Sequence, residues 1–508
     1  MDLETLLSFE WGIMMPEFII LGVLTIITLL DLFMPKTQNR KILGWIGFVG
    51  ILAAIVSLAG LLDKEVASIL YDTFRLDAFA KAFKLILLVG AGLVMLLAIS
   101  YEPKEGMKEY RGEFFYLFLA ALLGAMIMTS SGDLITLYVG LELLSISSYV
   151  LAGIRKSNLQ SNESAMKYVV NGSLSSAITL FGMSYVFGLT GTTNLADMRD
   201  MLMVIQDSQH VYLLVVAFLM IFVGLSFKIA AAPYHMWAPD VYQGAPTPVT
   251  AFLSVVSKAA GFALIVRMIL SIFTAVAANG PGSTSILVNM EPYIAVVAAV
   301  TMIIGNVVAL RQSNIKRIFA YSSIAHAGYL LVAVAALSLF MFDSLWFYLV
   351  AYLFMNMGAF AIIQLVTEKS DSEDLNHFAG LYKRAPFLAV AMGILVLSLA
   401  GIPGTAGFIG KLNIITGALV REQANYLLVG IMIATTVVSY VYYFRILAQI
   451  FFKQAPEGSE SLPKIKIPVG IGMVIIVCVA ASVLFGIFPN LAFDFLQTQF
   501  YEFGDFLQ

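Results

Sequence analysis

The chain has 508 residues, of which 60 % are hydrophobic and 12 % charged, and its net charge is −3. A soluble domain carries roughly 25 % charged residues, so the composition excludes a soluble fold and makes lipid the solvent for most of the surface. The charge balance offers no basic field for nucleic acid, and Cys478 as the single cysteine excludes a disulfide, a CxxC redox pair and an iron–sulfur cluster, which needs about four ligands. The N-terminal MDLETLLSFE is acidic where a cleavable signal is basic, so the first apolar run is expected to stay and span. HExxH, the P-loop and a GxGxxG after a strand are all missing from the sequence, and no cofactor is expected in this chain.

Apolar runs long enough to cross a bilayer lie near 14–33, 42–62, 78–100, 113–130, 134–154, 164–189, 211–248, 250–276, 293–310, 316–338, 344–367, 386–416, 425–452 and 466–488, which makes about fourteen helices. Taken in alternating order, one set of loops holds Lys36, Arg40, Lys41, Lys104, Lys108, Arg111, Arg155, Lys156, Arg311, Lys316, Arg317, Lys369, Lys383, Arg384, Lys453, Lys464 and Lys466. The other holds Lys64, Arg75, Arg199 and Arg421. This split predicts a multi-pass protein of the inner (plasma) membrane whose basic loops are cytoplasmic and whose two termini face outward.

Two spans are abnormal. The seventh runs through SFKIAAAPYHMWAPDVYQGAPTPV with Pro233 and Pro239 inside it, and the twelfth through LSLAGIPGTAGFIGKLN with Gly401, Pro403, Gly404 and Gly407 inside it. Proline removes an amide donor and clashes with the preceding turn, so both helices are predicted to break. Broken backbone at membrane depth survives only where protein or water satisfies it, and paired breaks point to an ion pathway in a repeat transporter. Each break falls in the fourth helix of a five-helix group, and an odd unit repeated in tandem is inverted. The expected fold is therefore all-α and polytopic, with about 14 transmembrane helices and two inverted five-helix repeats. The predicted divisions are three N-terminal helices over 1–112, a first repeat over 113–276 (helices 4–8), an inverted second repeat over 277–452 (helices 9–13), and a last helix with a short tail over 453–508.

Four charges lie deep: Glu142 in span 5, Lys228 before the Pro233 break in span 7, Lys258 in span 8 and Lys411 just beyond the break in span 12. A charge at a helix centre costs about 2.5–3.5 kcal/mol, and intramembrane ionisable groups are functional by default. The bland alternative, a structural ion pair or a lysine snorkelling to the headgroups, fits Lys81, Lys84, Lys167 and Arg445 better. Desolvation favours a neutral amine and a nearby carboxylate opposes it, so a buried lysine whose carboxylate can approach or withdraw is a proton switch. Glu142 with Lys228 is the candidate switch, Lys258 the central relay and Lys411 the station in the second repeat. His326 in span 10 is weighed between proton relay and a satisfied structural histidine. His235, two residues after Pro233, is open between a relay and a cap on freed carbonyls. His210 and His377 lie in loops. Small residues at Gly172–Ser176 read as close helix packing.

Taken together and in order, Glu142, Lys228 before a proline, Lys258 and the Lys411 of SLAGIPGTAGFIGK resemble the antiporter-like family. That family comprises the L-, M- and N-type membrane subunits of respiratory complex I and the large subunits of Mrp-type sodium/proton antiporters. The resemblance covers nearly the whole chain. The short stretch after the last span, a lysine at 411, and RIFAYSSIAHAGY are most similar to the N-type. The resemblance implies a proton-translocating subunit of the membrane arm of an NADH–quinone oxidoreductase, with redox chemistry in other subunits. It implies M-type and small helical membrane-arm subunits as partners, beside the lipid bilayer and protons. The alternative it leaves is the large subunit of an Mrp-type sodium/proton antiporter.

Overall fold

A computed structural model describes residues 3–35, 37–102, 107, 109–204, 207–274, 276–277, 284–338, 340–370, 372–420, 424–454, 465–500 and 505. The loop cations Lys36, Lys104, Lys108, Arg421 and Lys464 lie outside them. In chain order the helices are α1 (Leu3–Ser8), α2 (Met15–Phe33), α3 (Lys41–Ala59), α4 (Ala78–Ser100), α5 (Arg111–Thr129), α6 (Leu134–Ala152), α7 (Leu159–Thr190), α8 (Leu195–Met203), α9 (Ser208–Lys228) and α10 (Trp237–Gly244). They continue with α11 (Thr247–Phe273), α12 (Ile286–Ala309), α13 (Ile315–Ala336), α14 (Met341–Ser370), α15 (Leu381–Arg384), α16 (Pro386–Ala400), α17 (Ala406–Leu419), α18 (Tyr426–Phe451), α19 (Val469–Ile487) and α20 (Asn490–Gln499). Among the described residues, 13 helices are long and apolar enough to cross a membrane, and α16 and α17 are the two shorter halves of one more crossing. The protein is thus polytopic and all-α, apart from a small antiparallel pair, β1 (Ala67–Ile69) and β2 (Phe74–Leu76), which the hydropathy pattern misses.

Side-chain caps set eight of the helix starts among the described residues. Asp133 accepts from the amides of Ile135 and Thr136, and Asn158, Asn194, Asp207 and Asn314 do the same for α7, α8, α9 and α13. The Asn158 cap explains why α7 begins at Leu159, several residues before the apolar run that marks it in the sequence. The helices form a core and a rim. Every residue of α11 is buried, while α2, α3, α7, α18 and α19 expose rows of Leu, Ile, Val and Phe. Close approach in the core depends on glycine: a methyl group at Gly124 would lie 2.6 Å from the Leu144 amide and 2.7 Å from the Gly140 carbonyl, so α5 and α6 touch backbone to backbone.

Both predicted interruptions are present. α9 stops at Lys228 itself, earlier than the proline requires, because Ala230 takes a left-handed conformation (φ 58°). The freed groups are satisfied inside the protein: the Trp237 indole donates to the Phe227 carbonyl at 3.0 Å, and the Ala232 amide donates to Thr301 Oγ1 at 2.9 Å. α16 ends at Gly401, which is left-handed (φ 84°), a conformation glycine adopts without steric cost. The Gly407 amide across the gap donates to Ser398 Oγ.

Candidate functional site

The deep charges follow one another in a band through the buried helices. On α6 the Glu142 carboxylate accepts from Ser176 of α7, so the small residue at 176 orients the acid. At 172 the packing expectation holds: a Cβ there would overlap the Tyr149 hydroxyl, leaving room only for glycine. Lys228 closes α9 and is buried, and its Nζ donates to Ser145 Oγ at 3.0 Å. Ser145 lies three residues after Glu142, on the same face of α6. No ion pair joins Glu142 to Lys228 among the described residues: serines hold the two apart, with a cavity of about 10 Å³ lined by Ser145, Tyr149, Ser176 and Lys228 beside them. That is about the room one water needs.

The stem of Lys228 packs against Gly261 of α11, one turn from Lys258. Lys258 is 2 % exposed and donates to both the carbonyl and the hydroxyl of Ser323, and its ammonium lies 5.5 Å from the Tyr352 ring centre. Ser323 Oγ also meets the Tyr242 hydroxyl at 3.2 Å. His326 follows Ser323 by one turn of α13. Its Nδ1 lies 2.6 Å from the Tyr348 hydroxyl and its Nε2 3.1 Å from the Tyr443 hydroxyl, which in turn meets Ser322 Oγ at 2.5 Å. The imidazole is therefore held between two hydroxyls on different helices, an arrangement that lets one nitrogen accept while the other donates. Tyr329, the next turn of α13, packs its ring 5.4 Å from that of His326, and Lys411 sits 5.0 Å over it. Lys411 Nζ caps the Leu399 and Ala400 carbonyls at 3.0 Å, so a cation closes the end of the broken half-helix α16.

Lys228, Lys258 and Lys411 thus share one property: each is buried, held by neutral oxygen acceptors, and without a carboxylate in ion-pair contact among the described residues. The other basic residues differ. Lys84 pairs with Glu17 at 2.5 Å and Arg267 with Asp77 at 2.7 Å, all four side chains being shut off from solvent. Lys81 caps the carbonyls of Leu62 and Lys64, Arg445 those of Leu310 and Gln312, and Lys167 pairs with Glu163 and Asp240. His235 is buried beside the first break, and among the described residues its Nδ1 has no hydrogen-bond partner. Ser145, Ser323, Tyr348 and Tyr443 complete the band and were not singled out in the sequence. The available signal was spacing, since Ser145 lies one turn from Glu142 and Ser323 one turn from His326.

Residues 131–439 match the family model described as NADH:quinone oxidoreductase/Mrp antiporter, TM, and this defines the class of membrane protein. NADH-quinone oxidoreductase subunit N of Geobacillus sp. (strain WCH70) is 61 % identical over 98 % of this chain and 100 % of its own length. A chain in the structure of respiratory complex I from Thermus thermophilus with bound aureothin is 29 % identical, with a TM-score of 0.76 over 94 % of this chain and 99 % of that one. The chain belongs to the NADH-quinone oxidoreductase subunit N family. A chain of the Mrp complex from Dietzia sp. DQ12-45-1b shares the fold at 20 % identity, with a TM-score of 0.81 over 98 % of this chain and 100 % of that one.

Proposed function

We propose that this chain carries protons across the membrane as part of the membrane arm of an NADH–quinone oxidoreductase, with electron transfer confined to other subunits. The observation that carries the reading is the band itself: three buried lysines without a carboxylate in ion-pair contact among the described residues, each hydrogen-bonded to neutral oxygens, with His326 between two tyrosine hydroxyls, beside two interrupted helices. An uncompensated buried ammonium costs several kcal/mol, so fold stability alone gives no reason to keep three of them. Relatives named as subunit N of NADH-quinone oxidoreductase, matched over their full length, supply the complex in which the band works.

In this reading the basic loops face the cytoplasm and both termini face outward. Helices α5–α11 and α12–α18 act as two inverted five-helix units, each with one broken helix. Glu142 and Lys228 form the switch. In the state described, serines hold the two groups apart; when Glu142 swings toward Lys228, the ammonium form gains a partner and a proton loads. Withdrawal sends it through Lys258, Ser323 and His326 toward Lys411. His235 attends the break as a second proton acceptor. Other membrane-arm subunits, an M-type neighbour among them, pack against the apolar rim together with lipid.

The test is proton translocation by inside-out membrane vesicles oxidising NADH. Separate Lys228→Met, Lys258→Met and Lys411→Met variants are each expected to assemble and to lose most proton movement per NADH oxidised. Full pumping in all three would refute the reading.

A further inference from the structure

Beside His326 and Lys411 lies a buried amide that belongs to neither station. Asn306 of α12 is shut off from solvent, and both polar ends of its side chain are engaged. Nδ2 donates to the Met302 carbonyl at 2.9 Å and to the Tyr329 hydroxyl at 3.1 Å, while Oδ1 accepts from the Tyr442 hydroxyl at 3.0 Å. A carbonyl can only accept, so the Met302 contact fixes which end of the amide is nitrogen and makes Tyr442 the donor at the other. The two tyrosines come from different helices, α13 and α18, yet lead to one place. The Tyr329 ring lies 5.4 Å from that of His326, with the Lys411 ammonium 5.0 Å over it. The Tyr442 ring lies 4.4 Å from that of Tyr443, whose hydroxyl is 3.1 Å from His326 Nε2.

A buried asparagine between membrane helices often serves as glue. Here glycine already brings the helices together: a Cβ on Gly305 would lie 2.6 Å from the Ala325 amide nitrogen, and one on Gly328 2.9 Å from that of Met302. α12 and α13 thus meet backbone to backbone without a polar side chain between them. What the Asn306 amide sets instead is the hydroxyl ends of two rings that wall the last stations of the band. A cation is held over a ring only while the ring face stays beneath it. Proton transfer needs hydrogen-bonded atoms about 2.6–3.2 Å apart, and a misplacement of about 1 Å can cost about 100-fold in rate. We propose that Asn306 is a positioning residue for the His326–Lys411 end of the proton path, acting through Tyr329 under the lysine and through Tyr442 behind Tyr443. It also commits the Tyr442 hydroxyl proton to Oδ1, which leaves exchange with His326 to Tyr348 and Tyr443. The inference rests on the translocation reading above and adds to it a residue that touches neither His326 nor Lys411 and controls both through tyrosine.

The test is a mutant cycle in the intact complex, read as protons moved per NADH oxidised in inside-out vesicles, beside the amount assembled on native gels. Asn306→Leu keeps the size and removes the amide; it is expected to assemble and to move several-fold fewer protons per NADH. Asn306→Gln, which restores a donor and an acceptor, is expected to recover most of the loss. The Tyr329→Phe/Tyr442→Phe pair keeps both rings and removes the bonds to Asn306; it should fall as far as Asn306→Leu, and adding Asn306→Leu to it should change nothing more. A merely structural Asn306 would lower the amount assembled and leave protons per NADH unchanged in every variant, and that result would overturn the proposal. Asn306→Gln pumping no better than Asn306→Leu, or a further several-fold loss in the triple variant, would overturn it too. Should Asn306→Leu not assemble, the tyrosine pair alone decides, and full pumping by it refutes the positioning role. If Lys411→Met abolishes pumping while Asn306→Leu preserves it, the positioning role is wrong and the translocation reading stands. If Lys228→Met, Lys258→Met and Lys411→Met all pump fully, the translocation reading fails and this inference with it.

Discussion

Lys84 and Lys258 are both fully buried lysines on core helices, yet removing their charges should move stability in opposite directions. Lys84 lies 2.5 Å from Glu17, whose two oxygens have no other hydrogen-bond partner among the described residues. Lys84→Met strands a carboxylate in the protein interior, and breaking a buried pair from one side costs about 3–5 kcal/mol. Lys258→Met strands no charge. It leaves the Ser323 carbonyl and hydroxyl one donor short, which costs about 1–3 kcal/mol, and it removes an ammonium whose desolvation costs several kcal/mol. The net is expected to lie between neutral and stabilising by about 1–4 kcal/mol. The assay is thermal dissociation of the tagged, detergent-purified complex, followed on this chain, beside proton translocation in vesicles. Lys84→Met should assemble poorly and recover in the Glu17→Gln/Lys84→Met double variant. Lys258→Met should be at least as stable as the parent and pump poorly. A Lys258→Met protein as unstable as Lys84→Met, with normal pumping per assembled complex, would make Lys258 a structural residue and sink the relay.

Tyr348→Phe removes the hydroxyl bonded to His326 Nδ1 without changing shape, so it should slow proton movement several-fold while assembly on native gels is unchanged. Gly124→Ala drives a methyl group into backbone atoms of α6 that cannot swing aside; it should destabilise the α5–α6 contact by about 1–3 kcal/mol, seen as reduced assembled complex. Asp505 accepts from the Ala78 amide at 2.7 Å, and burial, with the Asp77 carboxylate beside it, pushes its carboxyl up to about 6. A carboxyl raised in the folded state holds its proton where the unfolded chain has lost it, so this contribution is complete below about pH 4 and is lost as pH rises through about 6. Asp505→Asn should therefore raise thermal stability at pH 7.5 and leave it unchanged at pH 4, as read by melting curves at the two values.

The spans, both interruptions and the charges of Glu142, Lys228, Lys258 and Lys411 could be read from the sequence, because each violates the apolar background in a way that has an energetic cost, whereas the buried Glu17, Asp77 and Arg267 were not. Lys258 and Lys411 are conspicuous in lipid, and prolines inside long apolar runs announce the breaks. The partners were less legible. Ser145, Ser323, Tyr348 and Tyr443 belong to residue types that occur throughout membrane helices, and only the side-chain contacts of α6 with α9, of α13 with α11, and of α13 with α14 and α18 single these out. The state of the Glu142–Lys228 switch was also invisible, since spacing says which groups can meet and not which serine holds each one apart. The capping of α16 by Lys411 belongs to the same class: the sequence places the lysine after the break, while its carbonyl contacts depend on how α17 folds back.

The complete burial of α11 bears on how the protein is made. This helix carries Lys258 and Arg267, and each charge costs about 2.5–3.5 kcal/mol at the centre of a helix released alone into lipid. Asp77, the partner of Arg267, emerges from the ribosome long before α11, whereas Ser323, which receives Lys258, emerges after it. Arg267 thus finds its counter-charge on arrival, but Lys258 must wait for α13. The insertion machinery is left holding a helix that lipid accepts poorly until more than fifty further residues have been synthesised, and the order of translation becomes part of how the proton path is built.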